Sequence, residues 1–234
     1  MERNKCDSEQ IASKKMTQTI PFSLTLKPVG SNCNLDCSYC YYLSSDTSCG
    51  QPMSLATLEA SIENHILSQP KHSPVVDFIW HGGEPLLRGR EFYQSAFALQ
   101  KKWANDKTLV NTFQTNGTLI NHQWAKFFKQ HNAMVGISID GPNIFNDISR
   151  IDKTGHSSFE KTVRGISLLK AYEVNFNTLT VVNNRTYQHG RDIYRFLKQT
   201  GSTYLQFQPC LDHELDRRSD YDWSLNGLQW EILM

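Results

Sequence analysis

Val75-Val76-Asp77-Phe78-Ile79-Trp80-His81-Gly82-Gly83-Glu84-Pro85 decides the fold class. Its first six residues carry a single charge and form a compact apolar run. That is the composition of a strand buried on both faces, as in a parallel sheet, and not the strict alternation of a half-solvated antiparallel strand. The run leads straight into a glycine pair and a proline, so the chain turns at the strand's carboxyl end.

Working outward, strands and helices alternate on both sides of this stretch. Ser23–Lys27 reads as a first strand closed by Pro28 and Gly30, and further strands are expected at Asn111–Gly117, Met134–Ile139, about 174–182, and Thr203–Pro209. Between them, Leu55, Leu58, Ile62 and Ile66 mark one helical face behind a cap at Ser54, and a helix is expected over about 89–104. Trp124, Phe127, Phe128 and His131 repeat at helical spacing. Ser157-Ser158-Phe159-Glu160 has the form of a capping box ahead of Val163, Ile166 and Leu169, and a helix carrying Ile193, Phe196 and Leu197 stops at Gly201. Such alternation predicts right-handed βαβ crossovers and a parallel α/β sheet, open or closed into a barrel. The expected organisation is a loose tail over 1–20, one α/β domain over 21–223, and over 224–234 the start of a sixth helix that is cut short.

Composition narrows the function classes. A chain of 234 residues, 39% hydrophobic, supports one substantial core. With 24 basic and 23 acidic residues and no basic run, neither nucleic acid nor an anionic membrane is indicated, and a small or peptide-like substrate fits better. Met1–Ile20 lacks the apolar core of a signal peptide, and no stretch approaches the roughly 18 apolar residues of a membrane span. A cytoplasmic protein is expected, with Cys6, Cys49 and Cys210 as thiols in a reducing compartment.

The remaining three cysteines are clustered. Cys33-Asn34-Leu35-Asp36-Cys37-Ser38-Tyr39-Cys40 places them at CxxxCxxC spacing just after the first strand. Three thiolates can hold a four-iron cluster and leave one iron open to another ligand. A structural zinc ion would want a fourth ligand, and neither Cys49 nor His65 sits at a pairing spacing. The cluster reading comes first, with zinc and incidental cysteines as the alternatives. In parallel α/β folds, ligand sites form outside the carboxyl ends of the strands, and the polar and glycine-rich features of this chain collect there. Gly82 and Gly83 permit close approach of a ligand, and Glu84 supplies a carboxylate able to accept from an ammonium group. His81 reads as a structural cap of its strand.

With Tyr39 between the last two cysteines, the CxxxCxxC motif resembles the signature of radical S-adenosylmethionine (SAM) enzymes, and the GGEP string resembles the segment with which they hold the methionine moiety. KPVGSNCNLDCSYCYY, GGEP, FQTNGTLI, VGISIDGP and LQFQPCLD occur in the order seen in anaerobic sulfatase-maturating enzymes, a resemblance covering Pro21 to Met234. It implies a partial (β/α)6 barrel with the last helix truncated. Cys33, Cys37 and Cys40 would hold one 4Fe-4S cluster, whose open iron chelates S-adenosyl-L-methionine and whose electron cleaves it to a 5'-deoxyadenosyl radical. It further implies that Tyr39, Gly83, Ser138, Arg150 and Leu211 line the site of that cofactor, beside Glu84, and that Gln114 and Asn116 contact the substrate peptide; physically, the Arg150 guanidinium suits the cofactor carboxylate. The implied reaction oxidises a Cys or Ser side chain of a sulfatase to Cα-formylglycine, with a reduced flavodoxin or ferredoxin type electron donor.

The departure from the family pattern is at the C-terminal end. Complete maturases continue into a cysteine-rich SPASM domain with auxiliary clusters and a segment bearing a proton-accepting aspartate. After Cys40 only Cys49 and Cys210 remain, so no auxiliary cluster and no catalytic residue is assigned, and at most slow, uncoupled cofactor cleavage is expected. The alternatives are a radical modification of another peptide, or a non-catalytic truncated remnant.

Overall fold

A computed structural model describes residues 19–42, 51–211 and 223–233. The tail up to residue 18 with Cys6, the loop 43–50 with Cys49, the segment 212–222 and Met234 lie outside the described residues.

Among the described residues, six strands form one sheet: β1 (Leu24–Leu26), β2 (Val75–Trp80), β3 (Thr108–Thr115), β4 (Met134–Ser138), β5 (Phe176–Val182) and β6 (Leu205–Pro209). They pair in sequence order, every neighbour parallel, as the alternation of strand and helix predicts. The helices are α1 (Leu55–Ser68), α2 (Arg90–Trp103), α3 (His122–Gln130), α4 (Asn143–Asn146), α5 (Phe159–Ala171), α6 (Gly190–Gln199) and α7 (Gly227–Leu233). Short 3-10 turns at Pro85–Arg88 and Tyr187–His189, and α4, had no sequence expectation.

Register separates the two faces of the sheet. Leu26, Trp80, Phe113, Val135 and Phe176 are successive cross-strand partners, and all are buried. With a strictly sequential strand order and right-handed crossovers, the helices collect over this face. Trp80 stacks on Phe113 at 6.1 Å between ring centres and meets Tyr93 edge-on at 5.3 Å. Its indole N–H donates to Asn111 Oδ1 at 2.8 Å, and Asn111 and Gln100 exchange two bonds of 2.9 Å, so this polar core is satisfied. The alternate row carries Gln114, Gly136 and Asn177, then Ser138, Leu179 and Gln206. That face is partly open and polar, which suits it to line a site.

Two end features differ from expectation. Ser54 does cap α1, its hydroxyl accepting from Thr57 N at 3.0 Å. The capping box at α5 does not form: the cap residue is Ser158, whose hydroxyl donates instead to Arg150 O at 2.6 Å, while Ser157 Oγ accepts from Phe159 N at 3.1 Å. The last helix starts three residues later than its sequence reading, at Gly227, because Asn226 Oδ1 accepts from Gln229 N at 2.9 Å. Before it, buried Trp223 and Leu225 are tied to the ends of β5 and β6 by Asn184 N to Trp223 O and Leu225 N to Cys210 O.

Candidate functional site

The cysteine loop is shaped by backbone contacts at both ends. On the β2 side, Gly83 N donates to Gly30 O and Glu84 N to Asn32 O, each at 2.8 Å. A Cβ on Gly83 would fall on the Asn32 carbonyl. The close approach that requires glycine here is therefore made by the chain's own loop, where the sequence reading expected a ligand. Beyond Cys33, Asp36 N bonds Ile151 O and Ser38 N bonds Ser149 O, so the 149–152 segment braces the second half of the loop.

These contacts bring Cys33, Cys37 and Cys40 to one cavity of about 410 Å³ at the carboxyl ends of the strands. Tyr39, Gly83, Gln114, Asn116, Ser138, Arg150 and Leu211 line the same cavity. Leu211 is 68% exposed, at its rim. Gln114 Nε2 donates to Ser138 Oγ at 2.9 Å, joining adjacent strand ends. Ser31, Leu179, Val181 and Gln208 also line the cavity without having been singled out. The alternation of β5 and β6 carried that signal, since Leu179, Val181 and Gln208 point away from the buried Thr178 and Thr180. His81 lines the cavity too. Its Nδ1 accepts from Gly82 N at 2.6 Å, as a strand cap would, and burial lowers its pKa so that the neutral ring can accept.

Glu84 corrects the sequence reading. It is 0% exposed and does not line the cavity. One carboxylate oxygen accepts from Leu86 N at 2.9 Å and Thr115 Oγ1 at 2.7 Å, the other from Asn116 N at 2.9 Å. With both oxygens bonded within the chain, Glu84 ties the β2 exit to the end of β3 and is not presented to an ammonium group. Burial pushes its pKa up to about 7, against the pull of those three donors.

Arg150 is likewise already paired. Its Nε lies 3.0 Å from Asp140 Oδ2, and the same oxygen accepts from the Tyr39 hydroxyl at 2.6 Å. Asp140 follows the end of β4 and is no part of the expected cofactor set. No local pattern marks it, because its partners lie in the cysteine loop and beyond α4. Arg150 Nη1 reaches Cys37 Sγ at 4.0 Å.

Cys33 and Cys37 sit in a setting that favours their neutral form. Burial pushes Cys37 up to about 12, with Arg150 opposing and Cys40 and Cys33 adding repulsion, and burial also raises Cys33. Thiols of this kind become thiolates when a cationic centre compensates them, which is what iron supplies to its sulfur ligands. The donor set thus fits an iron-sulfur cluster. Among the described residues, no three His, Cys, Asp or Glu side chains converge on a point as a single-ion site would have them.

Comparison with known proteins places this geometry. The chain is 42% identical over 209 residues to the serine-type anaerobic sulfatase-maturating enzyme of Klebsiella aerogenes, covering 89% of this chain and 51% of that protein. It is 38% identical over 217 residues to the cysteine-type anaerobic sulfatase-maturating enzyme of Clostridium novyi, covering 91% and 57%. The solved structure of native anSMEcpe with bound AdoMet and Cp18Cys peptide superposes with a TM-score of 0.82 at 35% identity, over 92% of this chain and 58% of that one. The chain thus spans about half the length of the curated relatives it matches. A family model described as Radical SAM superfamily matches residues 28–197, taking in the cysteine loop, Gly83, Gln114, Asn116, Ser138 and Arg150, and this chain belongs to that superfamily.

Proposed function

We propose that this chain carries the radical-generating barrel of a peptide-oxidising enzyme of the anaerobic sulfatase-maturating kind, acting on a Cys or Ser side chain of a sulfatase to give Cα-formylglycine. Radical SAM proteins use a 4Fe-4S cluster and S-adenosylmethionine, which together supply a carbon radical able to abstract hydrogen. The observation that carries the reading is the shared cavity at the strand ends: three thiols stand there beside the buried guanidinium of Arg150 and the Gln114–Ser138 pair. Cys33, Cys37 and Cys40 would ligate three irons. Tyr39, Gly83, Ser138, Arg150 and Leu211 would surround the cofactor, with the Arg150 charge held in place by Asp140. Gln114 is the amide best placed for a peptide backbone, since only its N–H is engaged by Ser138 and its oxygen remains an acceptor. The names of the relatives support the sulfatase-type peptide, and a reduced flavodoxin or ferredoxin type protein is the proposed electron donor.

The test is anaerobic reconstitution of the chain, followed by reduction with S-adenosylmethionine and a sulfatase-derived peptide. Mass spectrometry then follows 5'-deoxyadenosine and the peptide aldehyde. Cluster-loaded protein that forms no 5'-deoxyadenosine would overturn the reading. Formation of 5'-deoxyadenosine without aldehyde would retain radical generation and match the uncoupled cleavage expected of the barrel, whereas aldehyde in multiple turnovers would show that the barrel alone completes the oxidation.

A further inference from the structure

Asn116 was expected to contact the substrate, yet its side chain is committed within the chain. It is 7% exposed. Its Oδ1 accepts from Thr118 N at 3.0 Å and from Thr118 Oγ1 at 2.7 Å. A backbone N–H can only donate, so the oxygen must face Thr118 and the amide nitrogen must face the other way. There Nδ2 donates to Asn34 Oδ1 at 2.9 Å and reaches Cys33 Sγ at 3.7 Å. Asn34 Nδ2 in turn donates to Thr118 Oγ1 at 2.8 Å. The three side chains close a ring in which each donates to the next, so no amide can flip without breaking two bonds. The backbone is pinned as well: Asn116 N donates to Glu84 Oε2 at 2.9 Å, and Asn116 O accepts from Thr162 Oγ1 at 3.0 Å.

We infer that Asn116 is a positioning residue of the cluster site, its locked amide directing one N–H at Cys33 Sγ and raising the reduction potential of the cluster that this sulfur ligates. The inference rests on the cluster reading proposed above. An N–H directed at a ligand sulfur stabilises the more negative, reduced cluster more than the oxidised one, and such bonds are among the features that set cluster potentials. Thr118 and Asn34 hold the amide in that orientation.

The experiment uses the reconstituted chain, with the reduction potential read from a redox titration monitored by electron paramagnetic resonance. Asn116→Ala and Asn116→Asp are expected to lower the reduction equilibrium constant about tenfold, which is about 59 mV for one electron. Thr118→Val, which removes the hydroxyl that donates to Asn116 Oδ1 and accepts from Asn34 but keeps the backbone donor, is expected to shift it less in the same direction. In wild-type protein grown with asparagine labelled by 15N in its side chain, the reduced cluster should show a weak 15N hyperfine coupling that Asn116→Ala loses. Unchanged potentials in both Asn116 variants, with only the KM for peptide affected, would overturn the inference and return Asn116 to substrate contact. Absence of the 15N coupling in wild type would overturn it even if the variants load poorly. A wild-type chain that takes up no 4Fe-4S cluster would instead refute the cluster reading, and this inference with it.

Discussion

Arg150 Nε lies 3.0 Å from Asp140 Oδ2, and the two side chains are only 8% and 2% exposed. The Asp140 carboxylate also accepts from the Tyr39 hydroxyl and, through Oδ1, from Val181 N at 3.0 Å. One carboxylate thus joins the end of β4 to β5, the cysteine loop and the arginine beside Cys37. Removing one partner of such a pair leaves a buried charge uncompensated, a loss of about 3–5 kcal/mol. Asp140→Ala should therefore destabilise the metal-free chain by about that amount in urea unfolding. The double variant Asp140→Ala, Arg150→Leu should lose less than the two single losses summed, because no lone charge is left. A loss below about 1 kcal/mol for Asp140→Ala would show that the pair is solvated and behaves as a surface ion pair.

Gly83→Ala tests the packing of the cysteine loop. Because the new methyl group would overlap the Asn32 carbonyl, the loop must move away from β2, carrying Cys33 with it. Iron and sulfide per chain should fall by more than half, together with the thermal midpoint. Gly227→Ala is the control, since a Cβ there meets nothing within 4 Å, and it should leave both unchanged. Full cluster content in Gly83→Ala would mean that the loop tolerates the displacement.

Glu84 gives a pH dependence of stability with a definite sign. Its folded pKa is raised from 4.5 to about 7, so the folded state binds a proton more tightly than the unfolded state between these values. Stability from this group is therefore fully present below about pH 4.5, falls as pH rises towards 7, and is flat above. His65 and His81, whose pKa values burial lowers, act in the opposite direction below their ordinary 6.5. The difference between wild type and Glu84→Gln in urea unfolding across pH 5 to 8 isolates the carboxylate, and its advantage for wild type should shrink with rising pH. A pH-independent difference would place the folded pKa near its ordinary value.

Gly136→Ala addresses the peptide side of the cavity. A Cβ at Gly136 would collide with Gln114 Oε1, pushing the amide off Ser138 Oγ. If Gln114 binds the peptide backbone, the KM for peptide should rise about fivefold, the effect of losing roughly one hydrogen bond, while cluster content stays unchanged. An unaltered KM would remove Gln114 from the peptide site.

The sequence alone determined the order of the six strands and of the longer helices between them, because apolar periodicity is a local property. Val75–Trp80 reads as a buried strand and Trp124, Phe127 and Phe128 as a helix face without reference to any distant residue. Cysteine spacing is local in the same way, as is the turn after β2. What only the tertiary structure decided is where each polar group near the cavity points. Tyr39 finds Asp140 101 positions away, Asn116 N finds Glu84 32 positions away, and Asn116 Nδ2 finds Cys33 83 positions away. A buried carboxylate or amide must be satisfied by whichever donors and acceptors the fold brings within about 3 Å, and parallel crossovers bring together strand ends that the sequence keeps far apart. For that reason Glu84, read as a ligand group, became a brace between two strands. Asp140, just past the end of β4, became the partner of Arg150.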